Sequence, residues 1–231
     1  MFFIKKKKLK LEIYGPSRQL VDLFAPVRMK DSVPEWYKSM PKGQDYNNVS
    51  HCLGMRELYS TGIMFPLWSD YEITLGPNGV EGVHWPSNNE NTMGAESHPL
   101  TEQAPGAWTG YANIKFTSPW WFWCSEPIQW VWTQPAWNQQ DPQKFTIVPG
   151  STEFKHQNQT NINTIWKLGK NKRIEKLKAG DPMVHLIPIT EQDWDFEVGV
   201  MTNEIFSEKF KRWNYAFNKP YQRLRQDYKR L

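Results

Sequence analysis

The sequence predicts a mainly β protein with a jelly-roll or β-sandwich body, and three observations carry that prediction. Short apolar, aromatic-rich runs recur between turn clusters from residue 112 to 200. No run in that span has the three-to-four-residue apolar spacing of a helix. Aromatic residues make up 15% of the 231 positions, and 13 of them are tryptophan. Each such ring buries roughly 150–250 Å², so relatively few of them build a sizeable core.

Taken in order, Leu9, Leu11 and Ile13 alternate with Lys8, Lys10 and Glu12, the period of two that suits one strand. After Gly15-Pro16, Leu20, Val21, Leu23 and Phe24 predict a short helical turn ending near Pro26. Residues 32–41 read as a short helix, with Ser32 as its N-cap and Pro34 in the first turn, where the missing N–H is harmless. Residues 42–50 are polar loop, and 52–58 a further short turn. Residues 62–68 and 71–75 look like two strands around a Ser69-Asp70 turn. Residues 76–109, rich in Gly, Pro, Asn, Ser and Glu, read as a long connection of the kind that usually serves function or an interface.

Within the aromatic centre, 112–116, 120–123, 128–132, 145–149 and 182–188 are the strand candidates. On a strand, Trp120, Phe122 and Cys124 face one way and Trp121 and Trp123 the other. Both faces are apolar. Trp121 and Trp123 are therefore either a stacking platform for a ligand or a face covered by the termini or a neighbouring subunit.

The C-terminal stretch changes period. Phe206, Phe210, Trp213 and Phe217 fall on one helical face, and Pro220 interrupts it. Tyr221, Leu224, Tyr228 and Leu231 form a second stripe, with Arg223, Arg225, Lys229 and Arg230 around it. Such a helix either packs on its own body or docks onto a partner. The implied organisation is a basic arm at 1–8, a β body at 9–203 and a basic amphipathic tail at 204–231.

Net charge is +4, unevenly spread. Residues 1–30 hold eight Lys/Arg against two Asp/Glu, and 204–231 hold eight against three, so the rest of the body is acidic. Basic ends on an acidic body either meet a negative surface or fold back onto the body. Lys5, Lys6, Lys7 and Lys8 with the Arg-rich tail carry no nucleic-acid motif, so any contact there is to phosphates or acidic side chains, without base readout. Cys52 and Cys124 make no disulfide framework or metal knuckle, and two buried thiols are the expectation. No segment approaches the ~18 apolar residues of a membrane span, and the first residues lack the order of a secretory signal. A soluble protein of the cell interior, or one packaged into a particle assembled there, is expected.

Catalytic signatures are sparse. None of His51, His84, His98, His156 or His185 is followed two positions on by a carboxylate, as the usual facial iron triad requires. His84 and His98 share the long connection with Glu96, so a metal site, with iron as cofactor, is conceivable only if assembled in space. Gly-x-Ser-x-Gly and Gly-rich phosphate loops are absent. With no catalytic residue identified, the chain reads as more suited to binding than to catalysis.

Five segments in series resemble a family of uncharacterised proteins of tailed phages, especially T4-like and marine cyanobacterial phages. They are Val33-Pro34-Glu35-Trp36-Tyr37-Lys38, Cys52-Leu53-Gly54 leading to Pro66-Leu67-Trp68-Ser69-Asp70, Ser118-Pro119-Trp120, Val148-Pro149-Gly150, and Gly180-Asp181-Pro182-Met183-Val184-His185. Members often have an acidic segment after the Pro-Gly turn. Here Ser151-Thr152-Glu153-Phe154-Lys155 departs from that. The resemblance implies a viral setting and no mechanism. Within that setting, basic ends on an acidic body and the lack of a recognisable catalytic set lead to the expectation of a non-catalytic virion component, capsid-decorating or tail-associated. Its partners would be other phage proteins or further copies of itself, and its expected locations are the host cytoplasm during infection and the virion. Lys5–Lys8 at one end, and Phe210, Trp213, Phe217, Arg223 and Arg225 at the other, are then the partner-binding residues. The alternatives are a cupin-like iron oxygenase using His84, His98 and Glu96, and a carbohydrate-binding module using Trp121 and Trp123.

Overall fold

The alternation at the start of the chain folds as a strand, β1 (Leu9–Gly15), in the computed structural model, which describes residues 8–41, 48–86, 94–98, 109–136 and 144–210. Leu9, Leu11 and Ile13 point into the core, while Lys10, Glu12 and Tyr14 line the opposite face. Helix α1 (Arg18–Phe24) follows, its N-cap Ser17 accepting from Leu20 N at 3.2 Å. Then come β2 (Val27–Arg28), a 3₁₀ turn (Met29–Ser32), α2 (Glu35–Lys38), a second 3₁₀ turn (Val49–His51) and α3 (Leu53–Ser60).

The remaining strands are β3 (Ile63–Pro66), β4 (Tyr71–Gly76), β5 (Gly79–His84), β6 (Ala95–His98), β7 (Tyr111–Thr117), β8 (Trp121–Cys124) and β9 (Gln129–Thr133). They continue as β10 (Thr146–Ile147), β11 (Gly150–Glu153), β12 (Asn161–Lys167), β13 (Arg173–Leu177), β14 (Pro182–Pro188) and β15 (Trp194–Val200). The chain then turns through α4 (Asn203–Ile205) into a single wide π turn (Phe206–Phe210). No helix occurs among the described residues between 109 and 200, as the sequence predicts.

Four sheets result, in the orders β15-β1-β8, β10-β12-β7-β6, β11-β9-β14-β3-β2 and β13-β4-β5. All pairings are antiparallel except β1 with β15, so the protein is mainly β with sandwich-like packing of antiparallel sheets. The β15-β1-β8 sheet packs its inner face on the five-stranded one. Phe122 of β8 lies 5.7 Å from Phe65 of β3 and stacks on Phe154 at 4.3 Å. Tyr71 of β4 meets Phe116 of β7 edge-on at 5.0 Å, which joins the other two sheets. Trp120, Trp130 and Trp166 are fully buried in this one core. At ~25 cal/mol per Å², each contributes about 4 kcal/mol of transfer free energy before entropy is counted. The interior void beside Phe122 and Trp132 is only about 20 Å³, roughly the size of one water.

The two strands expected around the Ser69-Asp70 turn are present as β3 and β4, each in a different sheet. Three expectations need correction. Helix α2 starts at Glu35, not Ser32, because a residue preceding proline is held extended: Val33 has ψ 132°, and Pro34 itself takes the N-cap position. The connection at 76–109 contains β5 and β6, whose pairing with β4 and β7 overrides the low strand propensity of their Gly, Ser and His residues. Both cysteines are free, but Cys52 is exposed ahead of α3 and only Cys124 is buried. No described helix is long and apolar enough to cross a membrane.

Candidate functional site

The outer face of the β15-β1-β8 sheet is fixed by its register. Glu12 lies opposite Trp123 and Tyr14 opposite Trp121, while Glu12 and Tyr14 face Glu197 and Gly199 on the other side. A carboxylate and a phenol thus sit beside two indoles. Such a face left in water would expose two large rings, and the chain covers it with its own C-terminal segment.

That segment is steered by hydrogen bonds. Met201 N donates to Gly15 O at 2.8 Å as β15 ends, and Thr202 caps the next turn by accepting from Ile205 N at 3.2 Å. The chain then runs back across the sheet. Phe206 meets Trp121 edge-on at 5.5 Å, and Phe210 packs 5.3 Å from Trp121 and 6.1 Å from Tyr14. Phe210 is fully buried.

Lys209 reaches into the polar corner of this face. Its ammonium donates to Glu12 Oε2 and, at 3.2 Å, to the Tyr14 hydroxyl, and it stands 4.6 Å over the Trp123 ring. Tyr14 OH also donates to Glu12. Burial first, then the hydrogen bond and charge of Glu12, push the Tyr14 phenol well above its usual pKa, so it stays a donor. Carboxylate plus ring faces is the environment that holds a desolvated ammonium. This corner is an aromatic cage with its cation supplied by the same chain.

The rim of the sheet is ionic. Lys8 Nζ lies 3.0 Å from Asp195 Oδ2, and Arg28 binds the other oxygen while lying 5.5 Å from the Trp194 and Phe196 rings. The Lys8 hydrogen bond, followed by smaller contributions that include the charge of Arg28, holds the Asp195 carboxyl below its usual range. Lys10 pairs with Glu197 at 2.6 Å.

Of the residues singled out from the sequence, Lys8, Phe210, Trp121 and Trp123 therefore gather on one sheet. A sugar ring or base reaches the two tryptophans only where Phe206, Lys209 and Phe210 have left them. Lys5, Lys6, Lys7, Trp213, Phe217, Arg223 and Arg225 lie outside the described residues. His84 ends β5, His98 ends β6, and Glu96 pairs with Lys115 at 2.9 Å. Among the described residues no three His, Cys, Asp or Glu side chains converge as a metal-holding group. Glu12, Tyr14 and Lys209 escaped sequence reasoning, because Lys209 stands 197 positions from the carboxylate it meets.

Compared with protein-family models, curated proteins and solved structures, the chain matches none.

Proposed function

We propose that this protein is a non-catalytic structural component of a tailed-phage particle, capsid-decorating or tail-associated, whose rigid β body mounts two cationic segments that hold neighbouring subunits. The observation that carries this reading is the clasp. Lys8, tied to Asp195, and Phe210, seated between Trp121 and Tyr14, are both held against the same sheet. Residues 1–7, with three lysines, and residues 211–231, with seven Lys/Arg against one Asp, both begin from that sheet. Two tethers on one mount act together on an acidic neighbour, and the second contact forms at high effective concentration. Steering by such cationic segments needs charge and no base readout.

The test is quantitative mass spectrometry of purified particles from infected cells. The protein is expected at a fixed stoichiometry to the shell or tail subunits. Its absence from particles overturns the reading, and so does stoichiometric iron in the purified protein, which would favour an oxygenase. Replacing Arg223 and Arg225 by Glu is expected to lower incorporation while leaving the folded body intact.

A further inference from the structure

A second feature lies away from the clasp, where the short helices pack. Met29, Tyr59 and Met64 form a small core of their own, with Val33, Tyr37 and Met55 packed against it. Above it opens a cleft of about 450 Å³, within the range of small-molecule sites. Its walls come from four separate pieces of chain. Lys30 comes from the first 3₁₀ turn, Lys38 from the end of α2, Ser50 and His51 from the second 3₁₀ turn, and Arg56 from α3. Val33 and the Tyr37 ring supply the apolar side.

Among the described residues that line this cleft the charge is one-sided. No carboxylate is among the described residues that line it, and Lys30, Lys38 and Arg56 form no ion pair among the described residues. Asp31, Glu35 and Glu57 are their sequence neighbours, and all three are exposed and outside the lining. Three like charges brought to one concavity on a packed floor repel one another, and an anion of two or more charges relieves that repulsion. A guanidinium offers paired donors to phosphate oxygens, an ammonium supplies point charge, and a serine hydroxyl adds a further donor.

We infer that this cleft binds a small phosphate-bearing ligand, its phosphate among Lys30, Lys38 and Arg56 and its apolar part against Val33 and Tyr37. The inference is independent of the particle role, since the cleft shares no residue with the clasp.

Isothermal titration of the full chain with inorganic phosphate, pyrophosphate and adenosine 5′-diphosphate tests it. Lys38→Glu and Arg56→Glu change the cleft, and Lys170→Glu, an exposed change on a loop far along the chain, alters net charge equally. Saturable one-to-one binding of at least one probe is expected. It should weaken at least about tenfold in both cleft variants and little in Lys170→Glu. Preference for the diphosphate nucleotide over pyrophosphate would assign the apolar wall its role, and equal binding would confine recognition to the phosphate. Absence of saturable binding by all three probes overturns the inference. So does equal weakening in all three variants, or binding seen only with a single-stranded oligonucleotide. Matching thermal unfolding of the variants shows that a lost signal is not lost folding.

Discussion

The clasp and the cleft both collect cations and rings, yet they use them in opposite ways. In the clasp, the Lys209 side chain is 18% exposed and meets a carboxylate, a phenol and an indole face. In the cleft, Lys38 and Arg56 are exposed beside Tyr37 and find no carboxylate among the described residues. A cation becomes structure where the chain supplies its counter-charge, and stays available where it does not. Stability should therefore depend on the first set and binding on the second.

The joint between cleft and body is the place where the largest effect is expected. Gly62 connects α3 to β3 with φ +90°, and an added Cβ would come 2.5 Å from Leu186 O and 2.6 Å from His185 Nε2. The carbonyl cannot retreat without disturbing the β3–β14 pairing. Gly62→Ala is expected to lower unfolding free energy by about 4 kcal/mol, combining a left-handed backbone penalty with the clash. Urea denaturation followed by circular dichroism measures it. A loss below about 1 kcal/mol would mean that the helical region hangs loosely on the sheet, and the contrast drawn above would lose its common frame.

Within the clasp, Lys209→Met removes the ammonium and leaves the Glu12 carboxylate buried. The expected loss is about 3 kcal/mol, because an uncompensated buried charge is costly. Adding Glu12→Gln should recover more than half of it, since the pair is then replaced by neutral groups. A double variant no better than the single would show that packing, not charge, holds the segment down.

Parts of this arrangement were legible in the sequence. The alternation at 9–14 gave β1, and the Trp120–Cys124 spacing put Trp120, Phe122 and Cys124 on one face, which is the buried one, because a period of two is local information. That Trp121 and Trp123 share the opposite face, open to a ligand or a cover, was also readable; that Phe206, Lys209 and Phe210 cover it was not. Register between β1 and β8 spans more than a hundred residues, and no local pattern encodes it. The cleft was invisible for the same reason: Lys30, Lys38 and Arg56 sit on separate elements with no motif spacing. Strands β5 and β6 hid behind composition, since Gly79, Gly82 and Ser97 carry little strand propensity and their neighbours supply the order.

A smaller, pH-dependent effect belongs to the same joint. His185 is fully buried on β14; its Nε2 lies 2.7 Å from Thr61 O, and its Nδ1 has no hydrogen-bond partner among the described residues. Burial pushes its pKa below the ordinary 6.5, against a weaker raising effect of the Thr61 bond. A second proton would put charge at Nδ1 without an acceptor. The unfolded chain therefore takes up the proton first as pH falls, and this contribution to stability, intact above about pH 6.5, declines below it. The slope cannot exceed about 1.4 kcal/mol per pH unit for one group. Unfolding free energies from pH 8 to 5 should show a steeper decline for the native chain than for His185→Gln; parallel profiles would remove His185 from the pH response.

The smallest effect isolates burial from pairing. Lys8 and Lys209 each bind a carboxylate, but Lys8 and Asp195 are 54% and 44% exposed as side chains. Water screens that pair, and Arg28 still holds Asp195 when Lys8 is gone. Lys8→Ala is therefore expected to change stability by less than about 0.5 kcal/mol. It should nonetheless move the Asp195 carboxyl back toward its usual range, since the Lys8 hydrogen bond is the first cause of its depression. Carboxyl titration by NMR reads the second effect and denaturation the first. If Lys8→Ala cost as much as Lys209→Met, ion pairing alone would fix a cation in place, and the exposed cations of the cleft would owe their freedom only to a missing partner. A small cost with a clear titration shift instead assigns the strength of the clasp to desolvation, which the cleft lacks until a ligand fills it.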